Sequence, residues 1–382
     1  MSSLEKQIER IAEIKNDEII RKNYDNYHFL YDILIEFLKK KNVLMYGGLA
    51  INQILPKEAR FYKKYELPDI DIVCTDGVKL INSIIEHFKK DHNIQLVSAK
   101  EALHESTYKV FVEGVQLLDV TVLSKRDFLK MKKNSIQTDL GIPTVNIYYL
   151  KYSLHLLSAQ SLDAHRWGKV YERMLLMYKY YPVDLSNILW DDFYTDIPSD
   201  LSDALTSWIT DNKLISFGWD KIQSLLEPKL EMNDKQPIKY LLYDGNLKEL
   251  VATFKWPKVK TTALYSGDGF IGQYIALTYN NERFCYIFKP QSCLSIITKN
   301  NKTELTIHSL LAILYMMYLS SQIDELLYVI GHLTKLCLKL MKKSKNLNKI
   351  YSTECYGPQV GIITLRRKMV MRQMMNKNIF KK

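Results

Sequence analysis

MYGGLAIN (residues 45–52), LPDIDIVCT (67–75) and VQLLDVTV (115–122) are the stretches whose reading decides the fold. In DIDIVCT acidic and apolar residues alternate, the period-2 signature of a half-buried strand. Asp69 and Asp71 then share one face, while Ile70 and Ile72 turn to the other, toward a core. Carboxylates held side by side repel, and a cation between them resolves the repulsion. Their hard oxygens suit Mg²⁺ or Mn²⁺. Asp119 sits in an otherwise apolar, β-branched run, where an unpaired charge is costly. If its strand lies beside that of Asp69 and Asp71, the three carboxylates form a cluster able to hold two metals about 3.5–4 Å apart. Asp119 is then the group best suited to orient an attacking hydroxyl or take its proton.

Gly47-Gly48 falls between a short apolar run (43–46) and a short helix (49–55) stopped by Pro56. Two glycines there let the backbone approach a ligand, and the helix start offers free N–H groups to phosphate. Alone, GG is equally a plain turn, and a DxD pair is commonly solvent-facing. The order is more specific: strand, GG, helix, DID on a strand, isolated Asp on a later strand.

Working outward, residues 1–42 read as helix, with apolar residues at helical spacing among Glu and Lys and a break near Asn16–Asp17. Residues 78–90 are helical. Runs at 107–112 and 115–123 flank Glu113-Gly114, a hairpin turn. Helices are predicted over 128–133, 147–158 and 165–181. A second unit begins near Ala252 with an extended segment (254–265), a Gly-rich turn (266–269), strands at 274–278 and 284–288, and helices at 305–319 and 322–339. The pattern is α/β (α+β) with a small mixed sheet.

Gly and Pro are sparse, at 14 and 10 of 382 residues, which favours long helices over disorder. No apolar run reaches membrane-spanning length. The five cysteines form no CxxC pair, and their odd number points to buried free thiols in a reducing compartment. His155, His165 and His308 have no metal partner at suitable spacing, so packing or surface positions are expected. Net charge is +11, and residues 335–382 hold thirteen Lys and Arg against one acid, Glu354, so the rest of the chain is near −1. A localised positive surface suits a polyanion, although a solvated lysine-rich tail has the same composition.

MYGGLAIN, LPDIDI and LLDVTV together resemble the nucleotidyltransferase superfamily of DNA polymerase β-like enzymes. More narrowly, residues 43–181 are similar to the poly(A) polymerase catalytic subunits of large DNA viruses, the giant-virus branch in particular. The resemblance implies that Gly47 and Gly48 are the helix-turn glycines and that Asp69, Asp71 and Asp119 are the metal carboxylates. Many superfamily members carry Ser after the first Gly; here Gly48 leaves only backbone contacts to phosphate. Lys169 and Arg173, at i and i+4, share a helix face, where similar enzymes set cations against the triphosphate. An exposed helix face would look the same. Tyr152 or Ser153 is a candidate for base or ribose contact. The resemblance also implies an N-terminal helical segment (1–42), a catalytic nucleotidyltransferase domain with a mixed sheet (43–185), and a second, degenerate nucleotidyltransferase-like domain with a basic tail (186–382). In that tail Arg366, Arg367, Lys368 and Arg372 are the candidates for RNA phosphates.

The expected activity is Mg²⁺- or Mn²⁺-dependent transfer of AMP from ATP to a single-stranded RNA 3′ end, by a cytoplasmic enzyme with no membrane partner. Similar giant-virus enzymes imply a homodimer. The rivals are another nucleotidyltransferase (CCA-adding, oligoadenylate-forming or small-molecule adenylylating) and a non-catalytic RNA-binding subunit. The basic segment favours a polymeric acceptor, and the intact carboxylate set favours an enzyme.

Overall fold

The computed structural model describes residues 3–103, 106–183, 194–217, 222, 235–265, 273–299, 302–321, 325–342, 347, 350–358 and 362–375. The expected Gly-rich turn at 266–269 lies outside them. The chain divides into two compact units, Met1–Ile147 with Gly361–Lys382, and Tyr148–Val360. The division falls after Ile147 rather than at 185/186, because the helices that follow Ile147 build the second unit.

The first unit opens with helix α1 (Ser3–Lys39). The break expected at Asn16–Asp17 is absent. No Pro or Gly interrupts the run, and a Lys15–Glu18 ion pair of 2.8 Å spans the spot. Leu30, Leu34 and Leu38, one turn apart, are fully buried and fix the C-terminal half. Leu4, Ile8, Ile11, Ile14 and Ile19 in the N-terminal half are each more than half exposed.

Five strands follow: β1 (Leu44–Tyr46), β2 (Ile70–Cys74), β3 (Val97–Glu101), β4 (Thr107–Val112) and β5 (Val115–Val122), with helices α2 (Gly47–Ile54) and α3 (Gly77–Glu86) between them. Their order in the sheet is β1-β2-β5-β4-β3. Only β2 and β5 are parallel; the other neighbours are antiparallel. The β4–β5 turn uses Glu113 at φ 50° and Gly114 at φ 80°, as a two-residue hairpin requires. Strand β3 has no counterpart in the sequence reading, because LVSAKE lacks a strong alternation.

One face of this sheet carries Ile70, Ile72, Leu118 and Val120, all fully buried. Helix α3 starts against it. A Cβ on Gly77 would lie 2.5 Å from Val122 Cγ2, so only glycine allows that approach. Helix α4 (Lys125–Lys132) follows, its N-cap Ser124 accepting from the Asp127 amide. Residues 143–145 then return beside β1, with Met45 N–H donating to Pro143 O and Val145 N–H to Met45 O.

The second unit begins with helices α5 (Ile147–Ala159) and α6 (Trp167–Tyr180). Beyond them lie β6 (Tyr194–Thr195), α7 (Ser199–Asp211), β7 (Ile215–Ser216), β8 (Gln236–Pro237), β9 (Lys239–Leu242), α8 (Leu247–Thr253), β10 (Val259–Tyr265), β11 (Gln273–Tyr279) and β12 (Glu282–Lys289). These form a second five-stranded sheet, β10-β11-β12-β9-β7, and a β6-β8 pair. Leu201, Leu205 and Trp208 of α7 and Leu247 and Leu250 of α8 pack on Leu277, Phe284 and Ile287. The unit ends with β13 (Leu294–Lys299), β14 (Lys302–Leu305), α9 (Ile307–Ser321), α10 (Glu325–Met341) and β15 (Cys355–Tyr356).

Two sequence expectations change or sharpen here. Cys293 and Cys355 are joined as a disulfide, whereas Cys74, Cys285 and Cys337 are buried thiols. Antiparallel pairing of β13 with β15 brings the pair together across 62 residues, which no local spacing reveals. His155 and His308 are fully buried and touch through Nδ1 at 3.0 Å, and His155 Nε2 meets the Tyr178 hydroxyl at 2.7 Å. Burial pushes the His308 pKa down to about 3 and His155 down as well, so both are neutral packing residues.

Helix α11 (Ile362–Met375) belongs to the first unit again. Its Arg372 donates to Glu101 at 3.0 Å and to the carbonyls of Ala102 and Leu103, at the end of β3. Glu101 is almost wholly buried, so the pair anchors the helix. Arg372→Ala is expected to cost about 2 kcal/mol in urea unfolding, the scale of a charged hydrogen bond whose buried partner is stranded. It should also speed amide exchange in α11 before the rest of the unit.

Candidate active site

The carboxylates are set by strand register. In β1–β2, Tyr46 lies opposite Asp71. In the parallel β2–β5 pair, Asp71 lies opposite Asp119, with Ile70 against Leu118 and Ile72 against Val120. The apolar partners take the α3 face, so Asp71 and Asp119 stand side by side on the other one. Neighbouring strands are about 4.8 Å apart, which leaves two partly exposed carboxylates adjacent. Asp69, two residues earlier, is exposed just before β2. Its charge is felt by Tyr31 of α1. Burial first, then Tyr62, Asp69 and Asp32, holds that phenol above its ordinary range.

Gly47 completes the corner. It turns the chain from β1 into α2 at φ 72°. A Cβ there would lie 2.3 Å from Asp71 Oδ2 and 2.9 Å from its Cγ. The carboxylate therefore occupies space that any side chain at 47 would fill. Gly48 is buried in the first turn of α2. This helix also organises the following loop, since the Asn52 Oδ1 accepts the amides of Phe61 and Tyr62 at 2.8 and 3.2 Å. Arg60 ties the loop to the Gln53 carbonyl and to Asp139.

Asp119 is held by two donors. Lys109 Nζ lies 3.0 Å from Oδ2 and 3.4 Å from Oδ1, and Gln116 Nε2 lies 2.9 Å from Oδ1. Lys109 faces Asp119 directly across the β4–β5 pair. Beside them the Tyr46 hydroxyl meets Thr121 Oγ1 at 2.9 Å, and Thr107 meets the same atom at 3.1 Å. Sequence reading missed Lys109, Gln116, Tyr46 and Thr121. Strand register identifies them, and a position count from Glu113-Gly114 would have set Lys109 opposite Leu118, because a one-residue register shift between Val110 and Phe111 is what brings it to Asp119.

Among the described residues no three His, Cys, Asp or Glu side chains form a ready metal cage. Asp71 and Asp119 come together, and Asp69 flanks them. Two adjacent carboxylates, one lodged where a Cβ would sit, form an all-oxygen donor set that fits a hard divalent cation. The remaining candidates belong to the second unit or to α11. Lys169 is exposed on α6, whereas Arg173, one turn on, is buried. Ser153 donates to the Leu150 carbonyl and Tyr152 is buried, its ring 5.7 Å from Tyr149. On α11, Arg366, Arg367 and Lys368 are exposed and Arg372 is engaged with Glu101.

Gly47→Ala should be costly twice, through a left-handed φ and through displacement of the Asp71 carboxylate. The backbone part alone is about 1–2 kcal/mol. Thermal unfolding should show at least that loss, and Gly48→Ala, without a positive φ, should lose less.

Residues 32–163 match the family profile described as poly(A) polymerase catalytic subunit. The protein assigned as that subunit in Acanthamoeba polyphaga mimivirus is 29% identical over 214 residues, 54% of this chain and 36% of the relative. Its counterpart in African swine fever virus (strain Badajoz 1971 Vero-adapted) is 25% identical over 162 residues, 40% of this chain and 33% of the relative. The chain thus spans about a third of the length of the curated relatives it matches. The crystal structure of the Megavirus polyadenylate synthase superposes with a TM-score of 0.78 at 17% identity, over 99% of this chain and 84% of that one. No helix of the described residues is long and apolar enough to cross a membrane. Residues 32–163 are therefore similar to the poly(A) polymerase catalytic subunit, and the whole chain shares the fold of the Megavirus polyadenylate synthase.

Proposed function

We propose that this chain is a template-independent nucleotidyltransferase that adds AMP from ATP to the 3′ end of single-stranded RNA. The observation that carries the reading is the in-register Asp71–Asp119 pair, backed by Gly47, inside the segment that matches the family. Asp69, Asp71 and Asp119 would hold Mg²⁺ or Mn²⁺, which when bound neutralises charge on the attacking and leaving oxygens.

In the reaction the RNA 3′ oxygen forms a bond to the α-phosphorus of ATP. The bond from that phosphorus to the bridging oxygen breaks, and pyrophosphate leaves. Asp119 orients the 3′-hydroxyl and accepts its proton. Gly47 and Gly48 admit the triphosphate close to the backbone, where the first N–H groups of α2 have no intrahelical partner. Lys169, exposed on α6, is assigned to the triphosphate, with buried Arg173 acting through the packing of that helix. Arg366, Arg367 and Lys368 are assigned to RNA phosphates, and Arg372 serves as the anchor of α11. A homodimer is part of the same reading. The exposed apolar residues of α1, interleaved with both signs of charge, give a second copy a surface to cover.

The test is incubation with labelled RNA and each NTP separately, with Mg²⁺ or Mn²⁺. The RNA should be extended with ATP in preference to the others, and equal use of all four would overturn the adenylyl assignment. Asp69→Asn, Asp71→Asn and Asp119→Asn should each lower the rate by about 10³-fold or more while RNA binding persists. Near-normal turnover in one of them removes that residue from the set.

Replacing Arg366, Arg367 and Lys368 together by Gln should weaken RNA binding across all sequences. The slope of log K against log salt should flatten by about 0.7 for each RNA phosphate that the variant no longer neutralises. An unchanged slope in the folded variant would make the cluster a solvated face.

A further inference from the structure

Both oxygens of Asp119 are already occupied by protein donors. Gln116 takes Oδ1, and Lys109 lies within 3.4 Å of Oδ1 and 3.0 Å of Oδ2. The lysine is placed by register, not by chance of rotamer, because residues 109 and 119 face each other across the β4–β5 pair. Nothing about strand propensity calls for a lysine there. A β-branched residue would suit the strand better. The charge has an electrostatic use, since Asp71 is the other neighbour of Asp119 and two adjacent carboxylates repel.

We propose that Lys109 is an exchangeable counter-ion for Asp119. Its ammonium takes the place of the divalent cation while none is bound, keeps the two carboxylates adjacent, and swings out when the cation arrives. The inference rests on the metal-binding reading given above. The lysine side chain is 31% exposed and that of Asp119 only 17%, so the lysine is the partner able to leave. It would swing across the same sheet face, away from Asp119 and toward Lys100, its register neighbour on β3, whose ammonium sits 4.5 Å over the Phe111 ring. That strip is cationic and aromatic. A displaced Lys109 there finds a second cation beside it, so its new position is favourable only with an anionic oxygen, such as a substrate phosphate, between them. Cation and anionic substrate should therefore bind cooperatively.

The test measures Mn²⁺ binding by the full chain without nucleotide or RNA, from the electron paramagnetic resonance signal of free Mn²⁺, and thermal unfolding with and without the ion. Lys109→Met should bind Mn²⁺ about tenfold more tightly, the direction expected when a unit charge a few ångströms from the site is removed. Its metal-free form should unfold at lower temperature than the wild type and gain more on adding Mn²⁺. Lys109→Gln provides the same comparison should the Met variant fail to fold. Asp71→Asn separates the two readings. If the wild type has no Mn²⁺ site that this variant weakens, the metal reading fails and the counter-ion falls with it. If such a site exists and folded Lys109 variants bind Mn²⁺ no more tightly than the wild type, the counter-ion proposal alone is overturned.

Discussion

Two like charges held side by side on neighbouring parallel strands are the constraint around which the first unit is arranged. Asp71 and Asp119 are adjacent because β2 and β5 are parallel and in register. Parallel neighbours need a crossover. Helix α3, strand β3 and the β4 arm of the hairpin supply it, and they bring further groups to the same place. The α3 helix seals the apolar face, which forces the carboxylates to the open one. The β4 strand delivers Lys109 opposite Asp119. Gly47, at the start of α2, makes the room that Asp71 occupies. A lysine, a glycine and a pair of aspartates far apart in the chain are thus one electrostatic solution to one repulsion.

The second unit shows what the same kind of sheet looks like without that charge. It too has five strands with a single parallel pair, β12 beside β9. Where the first unit sets Asp71 against Asp119, this one sets Tyr240 against Tyr286 and Leu241 against Ile287, all buried. The rings of Tyr240 and Tyr286 lie 5.4 Å apart. Such a pair contributes packing and no ligand. Elsewhere in the unit, His155, Tyr178 and Tyr315 form a buried chain of hydrogen bonds.

The basic C-terminal segment acquires a place rather than only a composition. Helix α11 packs with the unit that carries the carboxylates. A single ion pair with a nearly buried glutamate divides its cations into one that anchors and three that face solvent. A charge count treats these four residues alike, and desolvation of Glu101 does not.

The sequence by itself determined the elements whose signal is local. Alternation in DIDIVCT marked β2, Glu113-Gly114 marked the hairpin, and GG followed by a short apolar run marked the corner into α2. It also determined which residue types were present for chemistry, since Asp69, Asp71 and Asp119 stand out against apolar surroundings. It did not show that α1 is unbroken, that LVSAKE is a strand, or that Cys293 meets Cys355. The last two depend on partners distant in the chain. Only the tertiary structure decided that Asp119 faces Asp71 rather than another residue of β2. A shift of one residue between strands reverses every side chain's face, and register is fixed by the whole apolar surface under α3. The same holds for Lys109, Gln116 and Arg372. Their roles follow from which charge they are pressed against, and that is a property of packing, not of spacing along the chain.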